Sequence, residues 1–411
     1  MHYFTNTNIA DLYNVSKGTV TNWINGSQEN KNNLQLTKVN NKFRIVKNTH
    51  NEAEIARLRQ IGEIHKNKSF HSVVTPDPLF YKIFNEEQVI EIINSLETPN
   101  IIPLKFRYLN EGAKLFDKMV LDGLEQGYFP YPDKESNLLS QSLNTIQEKI
   151  KNYDKVNIID IGPGNGLVVK DLISYLLESN KINKYIAVDL SKEMIEVCKT
   201  NLTSWFPNLN FQSEIHDIEK EPVDKICFKA KNENSQIKTI NIILFLGCTI
   251  SHVRDRSRVL KHFRDSLDQD DLFIFSGVFD DNIESRTESK YMSYPSNTVP
   301  FSTWIPKILG IDTKESKIVT NFNQFKQTKT HTLNLDKDYT INFNFSEYSK
   351  SITLKKGDQI LIHRFYLYSI KSLVEDIVKA DLKLVQTTVN DVFFITICQI
   401  DNLKEKISFD L

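Results

Sequence analysis

Apolar positions in the middle of this 411-residue chain fall in near-continuous runs rather than alternating ones. Ile158-Ile159-Asp160-Ile161, Tyr185-Ile186-Ala187-Val188 and Ile243-Leu244-Phe245-Leu246 are three such runs. Runs of this length predict strands buried on both faces, as in a parallel sheet covered by helices. A helix is predicted from about Leu167 to Glu178, and another strand from about Asn210 to Ile215. Near the end, a helix around Ile370 to Ala380 and strands over Leu382 to Val385 and Val392 to Cys398 fit an antiparallel edge closing an α/β sheet.

The first run leads into Gly162-Pro163-Gly164-Asn165-Gly166. Glycine tolerates positive φ and lets a ligand approach bare backbone, so the loop reads as a cradle. A dinucleotide fingerprint needs a glycine where Leu167 stands, and no Gly-Lys-Ser/Thr follows for a P-loop. The second run ends in Asp189, placed to accept from a ribose diol. The strand near 215 ends in Asp217-Ile218, a carboxylate beside an apolar residue suited to an adenine ring. In order, Asp160, Gly162, Gly164, Gly166, Asp189, Asp217 and Ile218 match the pattern of class I S-adenosylmethionine-dependent methyltransferases. The expected body is therefore their Rossmann-like, seven-stranded sheet, with S-adenosylmethionine as cofactor.

The N-terminus has a different texture. Ile9, Leu12, Val15, Val20 and Ile24 have the spacing to bury one another in two short helices, with Ser16 capping the second. Residues 34–38 and 42–46 alternate around Asn40-Asn41, a hairpin signal. The first 75 residues carry ten Lys/Arg against five Asp/Glu, whereas the whole chain has net charge −1. A basic module on an acidic body suggests an anionic partner. Residues 1–75 resemble the winged helix-turn-helix of the MerR and excisionase type, which implies DNA contacts from Lys17, Thr21, Asn22 and Arg44. Ile55, Leu58, Ile61 and Ile64 on the next helix suit packing on the wing or a homodimer contact. Thr75-Pro76-Asp77-Pro78 is the expected linker.

Residues 76–150 read as a helical segment covering substrate and cofactor, and 151–411 as the methyltransferase domain with a β-rich insertion at about 281–355. Phrases around Tyr108 and Tyr128, with the glycine loop and Ile243 to Ile250, resemble the histidine-specific methyltransferase family of ergothioneine biosynthesis over roughly residues 100–280. The resemblance implies that Tyr108 holds the acceptor and Tyr128 lies by the methionine end of the cofactor. It also implies His252 where the family grips a substrate carboxylate with asparagine. His363 and Phe365 stand where the family supplies glutamate and serine to the amine or imidazole side of its substrate. With that carboxylate missing, free histidine is disfavoured as the acceptor.

The reaction expected is methyl transfer to an amino-acid-like or small amine acceptor, with Tyr108, His252 and His363 as the catalytic set. A regulator that binds DNA and senses S-adenosylmethionine is the alternative, and a nucleic-acid methyltransferase the third reading. Leu246-Gly247-Cys248-Thr249 lacks the Asp/Asn-Pro-Pro-aromatic tetrapeptide of base-flipping enzymes. Cys198, Cys227, Cys248 and Cys398 form no CxxC pair, so no disulfide framework or metal site is expected. With no signal peptide or membrane-length apolar run, a cytoplasmic location without membrane contact is expected.

Overall fold

The computed structural model describes residues 2–68, 71–127, 131–233, 236–280, 299–390 and 392–401. The chain divides into two compact units, one of residues 1–73 with 337–340, the other of 74–336 with 341–411.

The smaller unit begins with the helix Asn6–Leu12, capped by Thr5, and the helix Lys17–Gln28, whose first turn is closed by Ser16 Oγ accepting from the Thr19 N–H at 3.0 Å. Strands Leu36–Val39 and Lys42–Val46 form an antiparallel hairpin. Asn40 and Asn41 at its turn have φ of 49° and 61°, a conformation asparagine tolerates better than most residues. Asn51, on the helix Thr49–Lys68, donates to the carbonyls of Gln35 and Val46 and accepts from the Gln35 N–H, tying helix to hairpin. Phe4, Ile9, Val20, Ile24, Leu34, Ile45 and Ile55 form the core. The periodicity placed Leu12 among them, but Leu12, the last residue of the first helix, is 67% exposed, while Val15 beyond it packs against the core. The side chains of Ile61 and Ile64 lie outside the described residues.

Ten strands build the main sheet of the larger unit, numbered here along the chain. They are β1 (Lys155–Ile161), β2 (Ile182–Asp189), β3 (Phe211–Ile215), β4 (Thr239–Phe245), β5 (Leu272–Phe279), β6 (Lys317–Asn323), β7 (Thr328–Asn334), β8 (Gln359–Tyr368), β9 (Leu382–Val389) and β10 (Phe393–Ile400). The central order is β3-β2-β1-β4-β5-β10-β9. The first five strands run parallel, and β10 is antiparallel to both β5 and β9. This is the seven-stranded class I arrangement. The end of β8 also pairs with the end of β5, and from it β7 and β6 extend as an antiparallel ladder.

The near-continuous apolar runs are explained by cover on both faces. Ile158, Leu172, Leu176, Tyr185 and Cys198 lie in one core, whereas Ile159, Ile161, Ile243, Phe245 and Phe263 lie in the other. The first crossover helix spans Lys170–Glu178, starting later than the pattern predicted. Residues 167–169 are spent on turns that leave the glycine loop. The phrase from Tyr339 to Phe345 lies in the strand Asp338–Phe345, while 281–298 of the expected insertion fall outside the described residues.

Opposite the site end of the sheet, fully buried Asn157 donates to Asn241 Oδ1 at 3.0 Å and to the Ala230 carbonyl at 3.1 Å. Asn241 in turn donates to the Cys227 carbonyl and through its backbone to Asp271. Removing one partner from such a network leaves buried polar atoms unmet. Asn241→Ala is expected to lower unfolding free energy by about 1–3 kcal/mol in denaturant titration, and a loss under half of that would contradict the account.

Candidate functional site

The glycine loop, Asp189 and His252 follow the carboxyl ends of β1, β2 and β4, where a parallel sheet opens between its helices. Gly162, Gly164 and Gly166 after β1 have φ of +67°, +57° and +78°. A Cβ on Gly166 would lie 3.1 Å from Leu202, so this glycine serves close packing of the loop on the helix Lys192–Trp205. A Cβ on Gly164 would approach the Phe116 ring at 3.6 Å. Asn165 steadies the loop, donating to Asp117 at 3.2 Å while its carbonyl accepts from Asn201 at 2.9 Å.

Asp160, just before the loop, is 1% exposed. The Tyr185 hydroxyl donates to its Oδ2 at 2.5 Å, and Oδ1 is buried with no hydrogen-bond partner. Burial pushes its carboxyl up to about 7, with Glu135 and Asp189 adding to the shift. Asp189, at the end of β2, accepts from the Ser191 N–H at 2.8 Å and is likewise raised by burial to about 7. Asp217 accepts from Lys105 at 2.9 Å and from the Glu219 N–H at 3.1 Å, so both oxygens have one bond and a second lone pair to offer. Lys105 also meets Glu91 at 3.1 Å, and Ile218 beside them is 9% exposed.

Tyr108 closes the short helix Leu104–Tyr108 and packs edge-on against Phe116 and Phe301, with ring centroids 5.3 and 5.2 Å away. Burial raises its phenol, and both the Arg107 guanidinium and the Asp189 carboxylate act on it. His252 follows β4, and its Nδ1 donates to the Arg364 carbonyl at 2.7 Å. His363 on β8 lies 4.9 Å from the His252 ring and 4.1 Å from Phe365, centroid to centroid. Desolvation lowers His252 to about 4 and drives His363 well below the usual histidine range, so both rings are neutral at physiological pH.

The structure brings His252 and His363 together, and Tyr108 is linked to them through Arg107, whose guanidinium lies 5.9 Å from the Tyr108 ring centroid and donates to the Ile362 carbonyl next to His363. Tyr128 lies outside the described residues. Among the described residues, no group of three or more His, Cys, Asp or Glu side chains is arranged to hold a metal ion. In the smaller unit, Lys17, Thr21 and Asn22 are exposed along one helix, and half-buried Arg44 donates to Asn6 at 3.0 Å. Asn6 in turn donates to Thr21 at 3.3 Å.

Sequence reasoning missed four residues. Arg107, 2% exposed, donates to the Ile362 carbonyl at 3.1 Å and stacks 4.8 Å from the Phe301 centroid. His331 on β7 sits directly across from His363 in the strand register. Lys105 braces Asp217 as described. Glu135, 2% exposed, accepts from the Gly247 N–H at 2.7 Å and from the Ser276 hydroxyl, holding the loop after β4. Burial raises it to about 7 despite those bonds. No local spacing marks any of the four, because each is brought in by long-range pairing.

A glycine loop with positive φ thus stands beside a carboxyl with an unmet buried oxygen and a second carboxyl at the end of the neighbouring strand. The sequence model of the family described as histidine-specific methyltransferase, SAM-dependent, matches residues 86–399, more than half of the chain. The chain belongs to this family and is an S-adenosylmethionine-dependent methyltransferase. No curated protein matches it in sequence. Similar solved structures include an S-adenosylmethionine-dependent methyltransferase from Clostridium acetobutylicum, 13% identical over 69% of this chain and 97% of that one, TM-score 0.38. Another is the magnesium protoporphyrin IX methyltransferase of Synechocystis, 10% identical over 72% and 97%, TM-score 0.36. A third is the CcbJ methyltransferase of Streptomyces caelestis, 11% identical over 66% and 90%, TM-score 0.36.

The raised carboxyls predict how cofactor binding responds to pH. Asp160, Asp189 and Glu135 hold protons up to about pH 7, and a bound cation favours their ionised forms. S-adenosylmethionine should therefore expel protons on binding, with affinity rising from pH 6 to pH 8 and levelling above. Titration calorimetry in buffers of different ionisation enthalpy reads this directly, and a pH-independent affinity with no proton release would contradict it.

Proposed function

We propose that this enzyme methylates an amino-acid-like or small amine acceptor other than free histidine. The cofactor would rest on Gly162, Gly164 and Gly166, with Asp189 at the ribose, Asp217 and Ile218 at the adenine, and Tyr128 towards the methionine end. The observation that carries this reading is the unmet Oδ1 of Asp160 beneath the glycine loop, a buried acceptor suited to a cation. When bound, the cofactor supplies an electrophilic methyl group on a positively charged sulfur.

The chain's own residues then hold the acceptor and exclude water. The Tyr108 hydroxyl can accept from or donate to the acceptor, and the rings of Phe116 and Phe301 fix its plane. His252, protonated at Nδ1 by its bond to the Arg364 carbonyl, presents Nε2 as a lone pair. Neutral imidazoles this weak orient an uncharged donor atom rather than strip a tightly held proton.

Full-length enzyme given S-adenosylmethionine and a pool of amino acids should release S-adenosylhomocysteine. Asp189→Ala should weaken cofactor binding by about ten-fold or more, and Tyr108→Phe should lower kcat by a comparable factor with cofactor affinity kept. Tight cofactor binding with no turnover on any acceptor would favour the sensor reading instead.

For the smaller unit the reading is a winged helix-turn-helix that binds duplex DNA through Lys17, Thr21, Asn22 and Arg44. Its support is the exposure of the first three on one helix and the basic composition of residues 1–75. The full-length protein should bind duplex DNA with an affinity that falls steeply with salt, and Lys17→Glu should weaken it. Salt-insensitive or absent binding would remove this reading.

A further inference from the structure

A side-chain cluster at the acceptor side has a polarity opposite to that of the cofactor side. His363 is its centre. Both ring nitrogens are buried, and neither has a hydrogen-bond partner. A neutral imidazole is one donor and one acceptor, so a buried ring with neither met is costly unless a ligand meets them. The His252 ring lies 4.9 Å away on one side and His331 5.8 Å on the other, with Phe365 against the face. His331 is 1% exposed, and its Nδ1 is 2.9 Å from Thr320 Oγ1.

Arg107, Lys329 and Arg364, all cationic, act on these three rings. Arg364 itself faces Glu219, Arg254 and Arg256, one step further out. Desolvation and these cations hold His331 near 3, below even His252. A ligand cation here would add like charge to a desolvated site, whereas an anion would meet an N–H donor and a positive field.

Resting on the methyltransferase reading, we propose that His363, flanked by His252, His331 and Arg107, is an oxyanion subsite that receives a carboxylate of the methyl acceptor. The substrate class narrows accordingly to acid-bearing small molecules, and simple amines without an acid group are rejected. The His363 N–H donates to a carboxylate oxygen, and the anion's charge raises the proton affinity of the neighbouring imidazoles. Imidazoles held this far below the usual histidine range stay neutral near pH 7, so the carboxylate is met by N–H donation and by the positive field of Arg107.

The test uses the full-length protein saturated with S-adenosylhomocysteine and two probes of matched shape, benzoate and benzylammonium, followed by titration calorimetry. Benzoate should bind with an affinity that changes little between pH 6 and pH 8, and benzylammonium at least about ten-fold more weakly. His363→Phe keeps a ring against Phe365 and should abolish the benzoate preference, as should His363→Gln, with S-adenosylhomocysteine binding intact in both as the sign of correct folding. Benzylammonium binding as tightly as benzoate, benzoate binding unchanged in both variants, or no benzoate binding would each overturn the proposal. Failure of S-adenosylhomocysteine to bind would contradict the methyltransferase site instead, and benzoate titrated without it still reads the subsite alone.

Discussion

One buried carboxyl group sets the terms for this enzyme. Asp160 sits at the end of a strand whose neighbours on both sides are fully covered, so its charge has almost no access to water. Tyr185 meets one oxygen and nothing meets the other. An isolated carboxylate in that setting is costly, and the group answers by holding its proton to about pH 7. The glycine loop begins two residues later, and its positive φ values keep side chains out of the space above. A site with this composition favours a ligand that brings positive charge, as a sulfonium nucleoside does.

The side proposed for the acceptor has the complementary electrostatics. Arg107 and Tyr108 are adjacent in sequence, and the Tyr108 phenol responds both to Asp189 and to the Arg107 guanidinium. On one side lie acids raised by burial, and on the other imidazoles lowered by burial and by cations. Methyl transfer from a cationic donor neutralises its positive sulfur, so a boundary between acidic and basic halves suits the reaction. Glu135 contributes from behind, holding the Gly247 N–H and Ser276 hydroxyl so that the loop carrying His252 keeps its shape. It acts as a positioning residue through the backbone.

Much of the body was legible because its signals are local. Near-continuous apolar runs such as Ile158 to Ile161, broken only by Asp160, reported strands with two covered faces, and the loop glycines reported positive φ directly. What escaped depends on distance along the chain. His331 meets His363 only through the register of β7 on β8, Arg107 reaches the Ile362 carbonyl, and Glu135 reaches a loop more than a hundred residues away. None carries a periodic or spacing signature. Leu12 shows the opposite error: its spacing put it in the core, yet only Ile9 and Ala10 of that helix are buried and Leu12 is exposed. Asp217 was legible as a strand-end carboxylate, but its brace by Lys105 was not, since 112 residues separate them.

The central claim is that Asp160 is a carboxyl held protonated by burial until a cation arrives. Carbon-13 NMR of the aspartate carboxyl carbons, assigned with Asp160→Asn, measures that protonation directly in free and S-adenosylmethionine-bound enzyme. The account predicts a midpoint near 7 in the free protein and a clear downward displacement on binding. A midpoint near 4 that does not move with the cofactor would contradict it.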